Sequence, residues 1–347
     1  MKEVAIIGGG VAGLTAALSL ADRGIHCTIV EKEGRLGGLC KELGCKGVAR
    51  CVRCDVCLAE DKVSQVRASP AVERIKGAEV VSVSGPPGDF LLSIRENGTG
   101  AERRVRAGAI IVASGAEAFD AALDKRLGLG QVRGVLTTLD LERQLRREGK
   151  VVITGGHQAP RSIAFVLCVG SRDQRFQAGY CSKACCKASF KLGQALKALD
   201  AACQITFLFM DWRLYDPKEN VRLWSLGQEA VRLVRSRPAE IVPGEDGRPE
   251  VRFASEGDAS IESRSYDMVV LAVGMMPTQD AQAIASRLGI VRDEFGFLSS
   301  PPGRPCLSSR PGIFLAGACR GPKDILESVK DGSLAASRAV SFLEGGP

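Results

Sequence analysis

The chain has 347 residues, 45% of them hydrophobic and 25% charged, and a net charge of +7. This length holds two domains, or one domain interrupted by another, and the composition excludes a disordered chain. Basic residues are scattered (Arg103, Arg104, Arg106; Arg143, Arg146, Arg147; Arg232, Arg235, Arg237) and read as solvated faces or as docking points for acidic partner proteins. No basic arm interleaved with aromatics occurs, so no nucleic-acid partner is expected.

In chain order, residues 4–7 read as a strand, 11–22 as a helix and 27–30 as a second strand. Residues 79–84 and 90–95 flank GPPG as a hairpin, and 109–113 is a further strand. A polar, Arg-rich connection follows, with a helix at 140–148. A second α/β unit opens at strand 163–169 and continues through helix 182–199, strand 205–210, helix 221–234 and strand 268–273. A short strand at 313–315 and a closing helix within 322–342 return to the first unit. The expected fold is α/β, with two nested Rossmann-like doubly wound domains: 1–118, an inserted 119–275, and a C-terminal return 276–347.

The opening run VAIIGGGVAGLTAALSLA is apolar enough to mimic a leader or a membrane span. Its four glycines, Thr15 and Ser19 suit a strand, glycine turn and helix better. No other apolar run approaches the roughly 20 residues a span requires. A cytoplasmic protein without a membrane span is the expectation. Thirteen cysteines in a reducing compartment then point to metal, cluster or catalytic roles rather than structural disulfides. Cys27, Cys203 and Cys306 stand alone and read as packed or free thiols.

Gly8, Gly10 and Gly13 form G-x-G-x-x-G between a strand and a helix. The first glycine allows the tight turn, the second a close approach of backbone to pyrophosphate, and the third close packing of helix on strand. Glu31 ends the next strand, eighteen residues after Gly13, where a ribose-binding carboxylate belongs. In the second unit no glycine triplet follows strand 163–169. Gly155 and Gly156 precede His157 and Pro160, so reduction by NAD(P)H is not expected. Cys168 lies instead at the strand end, and Cys181, Cys185 and Cys186 at the start of the next helix. The C-x12-C-x3-C-C spacing fits neither a usual zinc site nor a ferredoxin run. A helix dipole with Arg172, Arg175, Lys183 and Lys187 nearby could offset thiolate charge. Buried thiols at a small-residue helix start are the alternative.

Two resemblances sharpen these readings. KEGRLGG after Glu31, IIVASGA (110–116) and GIFLAGAC (312–319) resemble the FAD motifs of glutathione reductase and thioredoxin reductase. That resemblance implies FAD held by Gly8, Gly10, Val11, Ala12, Gly13, Glu31, Lys32, Arg35, Gly37, Gly38, Val81, Ala113, Ser114, Gly115, Gly317, Ala318, Lys323, Asp324 and Ile325. Relatives of that type carry Asp where this chain has Ala318; Asp324 is a candidate substitute, or else a helix cap.

IAFVLCVGSRD, YCSKACCKASFKLG, FLFMDWRLYDP and FLAGACRGPKDI resemble the A-type component of heterodisulfide reductase. The resemblance covers most of the chain and implies a [4Fe-4S] cluster on Cys168, Cys181, Cys185 and Cys186. It also implies B- and C-type partner subunits and a homodimer. The chain lacks room for the extra ferredoxin modules of the methanogen form. It is more similar to the short form of sulfur-oxidation complexes, and also to a quinone-interacting flavoprotein of sulfate reducers. The implied function is that of an electron-transfer oxidoreductase component in cytoplasmic sulfur oxidation.

One stretch stays open. GGLCKELGC (37–45) resembles the redox-active disulfide of lipoamide dehydrogenase, which would make Cys40 and Cys45 the pair of a pyridine-nucleotide disulfide reductase. That chemistry uses a C-terminal His, and the two histidines, His26 and His157, lie elsewhere. Cys51, Cys54 and Cys57 form C-x2-C-x2-C, readable as part of a second cluster or as free thiols.

Overall fold

The computed structural model describes residues 3–48, 51–152, 159–214, 231–254 and 260–345. The chain forms two compact units. Met1–Lys41, Asp55–Glu117 and Met276–Pro347 make the first; Glu42–Cys54 and Ala118–Met275 make the second.

In the first unit, strands β1 (Glu3–Ile7), β2 (His26–Glu31), β3 (Val72–Lys76), β7 (Ala109–Val112) and β18 (Ile313–Leu315) form a parallel sheet ordered β18-β7-β1-β2-β3. Every residue of β7 and β18 is buried, as expected of parallel strands covered on both faces. Helix α1 (Val11–Ala21) connects β1 to β2, and α2 (Val56–Ala68) leads into β3. The closing helix Ile325–Leu343 packs so tightly on α1 that a Cβ on Gly332 would overlap the carbonyl of Ala12. The 79–95 hairpin expectation corresponds to β4 (Ala78–Ser84) and β5 (Phe90–Glu96), which join β6 (Glu102–Ala107) in an antiparallel sheet.

The second unit repeats the parallel design. Strands β9 (Val135–Thr137), β10 (Ser162–Val169), β11 (Gln204–Leu208), β12 (Val231–Val234) and β16 (Met268–Val273) form a sheet ordered β12-β11-β10-β16-β9. Strands β13 (Pro238–Pro243), β14 (Pro249–Ala254) and β15 (Ile261–Ser265) add an antiparallel sheet. Two-residue strands β8 (Glu117–Ala118) and β17 (Met275–Met276) lie at the unit boundaries. Helix α3 (Thr138–Glu148) starts at a capping box in which Thr137 and Asp140 satisfy each other's backbone N–H groups. Helix α4 (Ala184–Leu199) follows the cysteine loop.

Several expectations are corrected. Residues 231–234 are strand, not the end of a helix: Val231 and Val234 are buried, and Ile205 to Leu208 pair in parallel with them. Residues 221–230 of that helix lie outside the described residues. Helix 182–199 starts only at Ala184, because Lys183 adopts a left-handed φ of 55°. The Ser182 hydroxyl there accepts the Met275 N–H at 2.9 Å. Helix α2, β3 and the helix Ala281–Leu288 were not legible. No described helix is long and apolar enough to cross a membrane.

The segment Glu42–Cys54 interrupts the first unit and joins the second through buried polar anchors. Lys46 Nζ lies 2.6 Å from Glu142 Oε1, and the two side chains are only 4% and 3% exposed. Glu142 also accepts the Gly44 N–H at 3.0 Å, and Lys46 donates to Gly44 O at 3.0 Å. Arg143 Nε donates to Glu42 at 2.7 Å, and the buried Lys191 of α4 donates to Val52 O at 2.6 Å. A buried charge left without its partner costs about 3–5 kcal/mol. Lys46→Met should therefore lower the stability of the second unit by that amount in chemical denaturation. The double change Lys46→Met/Glu142→Leu should recover most of it.

Candidate functional site

In the first unit, β1 runs into the glycine turn and α1. A Cβ at Gly8, whose φ is 107°, would overlap the carbonyl of Ala113 at the end of β7. Gly10 caps α1 and faces nearly open space: the nearest atom to a Cβ there is Gly38 Cα at 3.9 Å. The GRLGG loop packs directly on this turn, with Gly37 N–H donating to Gly9 O at 2.8 Å. Val11, Ala12 and Gly13 form the first turn of α1, all buried.

Glu31 ends β2 as a buried carboxylate. One oxygen accepts the Gly9 N–H at 2.7 Å and the other the Glu33 N–H at 2.8 Å. Burial pushes its pKa up, while the Gly9 N–H and nearby Lys41 and Lys32 pull it back. A cavity opens beside it, lined by Gly8, Glu31, Lys32, Val80, Ser114 and Asp280, with Arg287 and Ile284. Lys32 Nζ lies 3.5 Å from Asp280 Oδ2. The other oxygen, Asp280 Oδ1, is buried without a hydrogen-bond partner among the described residues. The open face at Gly10, the Glu31 carboxylate and this orphaned acceptor fit a dinucleotide whose ribose hydroxyls can donate.

Not every expected contact falls here. Val80, not its neighbour Val81, lines the cavity; the β4–β5 register shifts at that point. Arg35 is exposed on the loop. Asp280 and Arg287 belong to the short helix Ala281–Leu288, and Asp280 at its N-cap with Gly289 at its C-cap are the signals that could have found it. Asp324 caps the closing helix and accepts the Glu327 N–H at 2.8 Å.

The second unit carries the thiols. Cys168 sits near the end of β10 with a left-handed φ of 62°, and Arg172 (56°) and Lys183 (55°) follow in the same loop. With Gln177 (55°), four non-glycine residues of this loop hold a positive φ, a strain that clusters at functional sites. Cys168, Cys185 and Cys186 pack in one buried cluster, and Cys185 lies close enough to the other two to shift their titration. The Cys185 hydrogen bond, with the Arg172 and Arg237 charges, holds the Cys168 thiol down at about 6 against the opposing effect of burial. Cys185 keeps its proton, raised by its two thiol partners and by burial. Cys186 is lowered by Cys185 and by the Arg213 backbone N–H, again against burial.

The expectation that Cys181 lies at the start of the helix with Cys185 and Cys186 is corrected: Cys181 precedes α4, because the chain turns left-handed at Lys183. Its sulfur accepts the Lys183 N–H at 3.3 Å. Among the described contacts it does not join the other three. The described residues hold no group of His, Cys, Asp or Glu arranged for a single metal ion. A polynuclear cluster is a different demand, since each thiolate binds its own iron. Three buried thiols packed together, with Arg172 and Arg237 nearby, are donors of the kind such a cluster takes; a [4Fe-4S] cluster takes four, and Cys181 stands apart from these three. Gly155, Gly156 and His157 lie outside the described residues.

In the contested stretch, Cys40 lies in the first unit and Cys45 in the second. Cys45 and Cys51 are exposed, and each sulfur accepts the N–H two residues ahead, at 3.5 Å and 3.4 Å. Cys57 sits in the first turn of α2.

Residues 2–157 match the pyridine nucleotide-disulphide oxidoreductase family. The A-type component of the ferredoxin/F420H2-dependent CoB-CoM heterodisulfide reductase of Methanosarcina acetivorans is 30% identical over 99% of this chain and 54% of its own length. Over nearly its whole length the chain is similar to this A-type heterodisulfide reductase component. A second relative, an iron-sulfur A-type component of the CoB–CoM heterodisulfide reductase of Methanopyrus kandleri, is 32% identical over 98% of this chain and 64% of its own. The chain thus spans between half and two thirds of these relatives. Among solved structures, Lactococcus lactis thioredoxin reductase aligns over 99% of this chain and 100% of its own, at a TM-score of 0.65 and 18% identity. The fold is therefore of the thioredoxin reductase type, and the matched family and relatives are oxidoreductases.

The thiol loop of this heterodisulfide reductase homologue is braced by an ion-pair network. Asp173, buried, accepts from Arg175 Nε at 2.9 Å and Arg237 Nη2 at 2.5 Å. Asp124 accepts from Arg126 at 2.7 Å and Arg175 at 3.1 Å. Arg175 holds the Asp173 carboxyl well below the usual range, with Arg237 assisting against burial. A depressed carboxyl stabilises the fold above its unfolded pKa of about 3.9 and loses that effect as pH falls through the folded value. Asp173→Asn should cost about 1–2 kcal/mol at pH 7, after allowing for half-exposed guanidinium partners. The difference from wild type should shrink steadily below about pH 4 in urea titrations.

Proposed function

We propose that this chain belongs to the FAD- and [4Fe-4S]-containing electron-transfer component of a heterodisulfide-reductase-like assembly working in cytoplasmic sulfur oxidation. The observation that carries the reading is the buried Cys168–Cys185–Cys186 set after β10, where a second dinucleotide turn would otherwise lie. When bound, FAD exchanges electrons in pairs and an iron–sulfur cluster exchanges them singly, so together they convert one regime to the other.

The residues divide the work. Gly8, Gly10 and the start of α1 offer backbone N–H groups and a dipole to the pyrophosphate. Glu31 and Asp280 offer acceptors to ribose hydroxyls. Cys168, Cys185, Cys186 and, from the adjoining loop, Cys181 would hold the cluster. Arg172 and Arg237 offset thiolate charge, and burial of the thiols excludes water. Partner subunits of B and C type, in a homodimeric assembly, would carry the sulfur chemistry. A disulfide reductase acting through Cys40 and Cys45 is the second reading, supported by the family match over residues 2–157.

Anaerobically purified protein should contain about four irons and four sulfides per FAD. Cys185→Ala should lose the iron and the low-temperature EPR signal of the dithionite-reduced protein while keeping flavin. Cys54→Ala should keep both. Flavin without iron in the wild type, with NADPH-dependent reduction of a small disulfide, would instead establish the second reading.

A further inference from the structure

The flavin motif after β18 lacks the carboxylate expected at Ala318, and other carboxylates reach the same loop. Asp324 is committed to the closing helix: its Oδ1 accepts the Glu327 N–H at 2.8 Å, and Glu327 accepts the Asp324 N–H at 3.0 Å. A third carboxylate arrives from further along that helix. Asp331 Oδ2 accepts the Gly317 N–H at 3.2 Å and Arg320 Nη1 at 2.8 Å, and lies 3.6 Å from Lys323 Nζ. Residues 317, 320 and 323 span the whole loop between β18 and the helix, so one oxygen gathers the motif.

The loop is held from other sides as well. Arg320 Nε donates to Ser300 Oγ at 3.0 Å, and its Nη1 lies 3.4 Å from Cys306 Sγ. Gly317 has a left-handed φ of 76°, and a Cβ there would meet the Ala12 side chain at 2.6 Å. The loop therefore sits against the first turn of α1, beside the phosphate turn. The three charged side chains are 14–17% exposed, so solvent screens them weakly. Arg320 and Lys323 both face this one carboxylate, so each charge change here alters the local field in a known direction.

We propose that Asp331 and Arg320 are the positioning pair of the flavin-binding loop, taking the place of the carboxylate missing at Ala318, with the Arg320 charge making bound flavin easier to reduce. The inference rests on the FAD reading above. Positive charge near a flavin favours its anionic reduced form. Asp331 acts through Gly317 and Arg320, not by touching substrate.

The test is anaerobic flavin binding and dye-coupled redox titration of the full chain, for wild type, Arg320→Gln, Asp331→Asn, Asp331→Ala and Asp331→Glu. The flavin potential should fall in Arg320→Gln and rise in Asp331→Asn. Loss of packing alone would not produce shifts of opposite sign. Asp331→Ala should raise the Kd for FAD on the order of tenfold, and Asp331→Glu should restore most of the affinity. Should Asp331→Ala fail to fold, Arg320→Gln still decides the sign. Flavin-loaded wild type with potentials unmoved, or moved in one direction by both charge changes, overturns the proposal and leaves the FAD reading standing. Wild type that binds no FAD overturns both.

Discussion

One carboxylate organises the first unit. Glu31 binds the Gly9 N–H with one oxygen and the Glu33 N–H with the other, so the phosphate turn and the loop after β2 share a single buried anchor. The GRLGG loop then closes on the turn through Gly37 and Gly9. Burying a carboxylate is costly unless its lone pairs are satisfied, and these backbone donors satisfy it. The arrangement leaves a largely apolar cavity with the Glu31 and Asp280 carboxylates and the Gly8 backbone at its wall, a lining that suits a ribose and its base.

The second unit follows the same strand-and-helix plan with a different chemical outcome. Where the first unit turns on glycines at the end of β1, the second turns left-handed at Cys168, Arg172 and Lys183. Side chains in that conformation cost energy, and here they bring three thiols together under two guanidinium charges. The Glu42–Cys54 segment is built into the same unit by a buried Lys–Glu pair and by Lys191 of the thiol-bearing helix. Such anchors specify one arrangement more than they add stability.

The parallel strands and the phosphate turn were legible because their signals are local: apolar runs of four to eight residues, and glycines at fixed offsets. The cysteine spacing is plain in the sequence, but only three of its four cysteines pack together, and the helix starts two residues later than expected, since a left-handed Lys183 leaves no trace in composition. Strand 231–234 hid behind an arginine-rich sequence, and its identity comes from pairing with β11, a long-range contact. Asp331 was invisible for the same reason: its role depends on helix packing that returns it to Gly317 fourteen residues earlier. Asp280 and Arg287 were missed with the short helix that carries or adjoins them.

The central claim is that one chain holds both a pair-exchanging and a single-exchanging redox centre. Counting electrons tests it most directly: anaerobic reductive titration of the purified chain, followed by its visible spectrum. Uptake of about three electrons per chain, two by flavin and one by a cluster, is the expected result. Uptake of about two, with flavin bleaching alone, would contradict it.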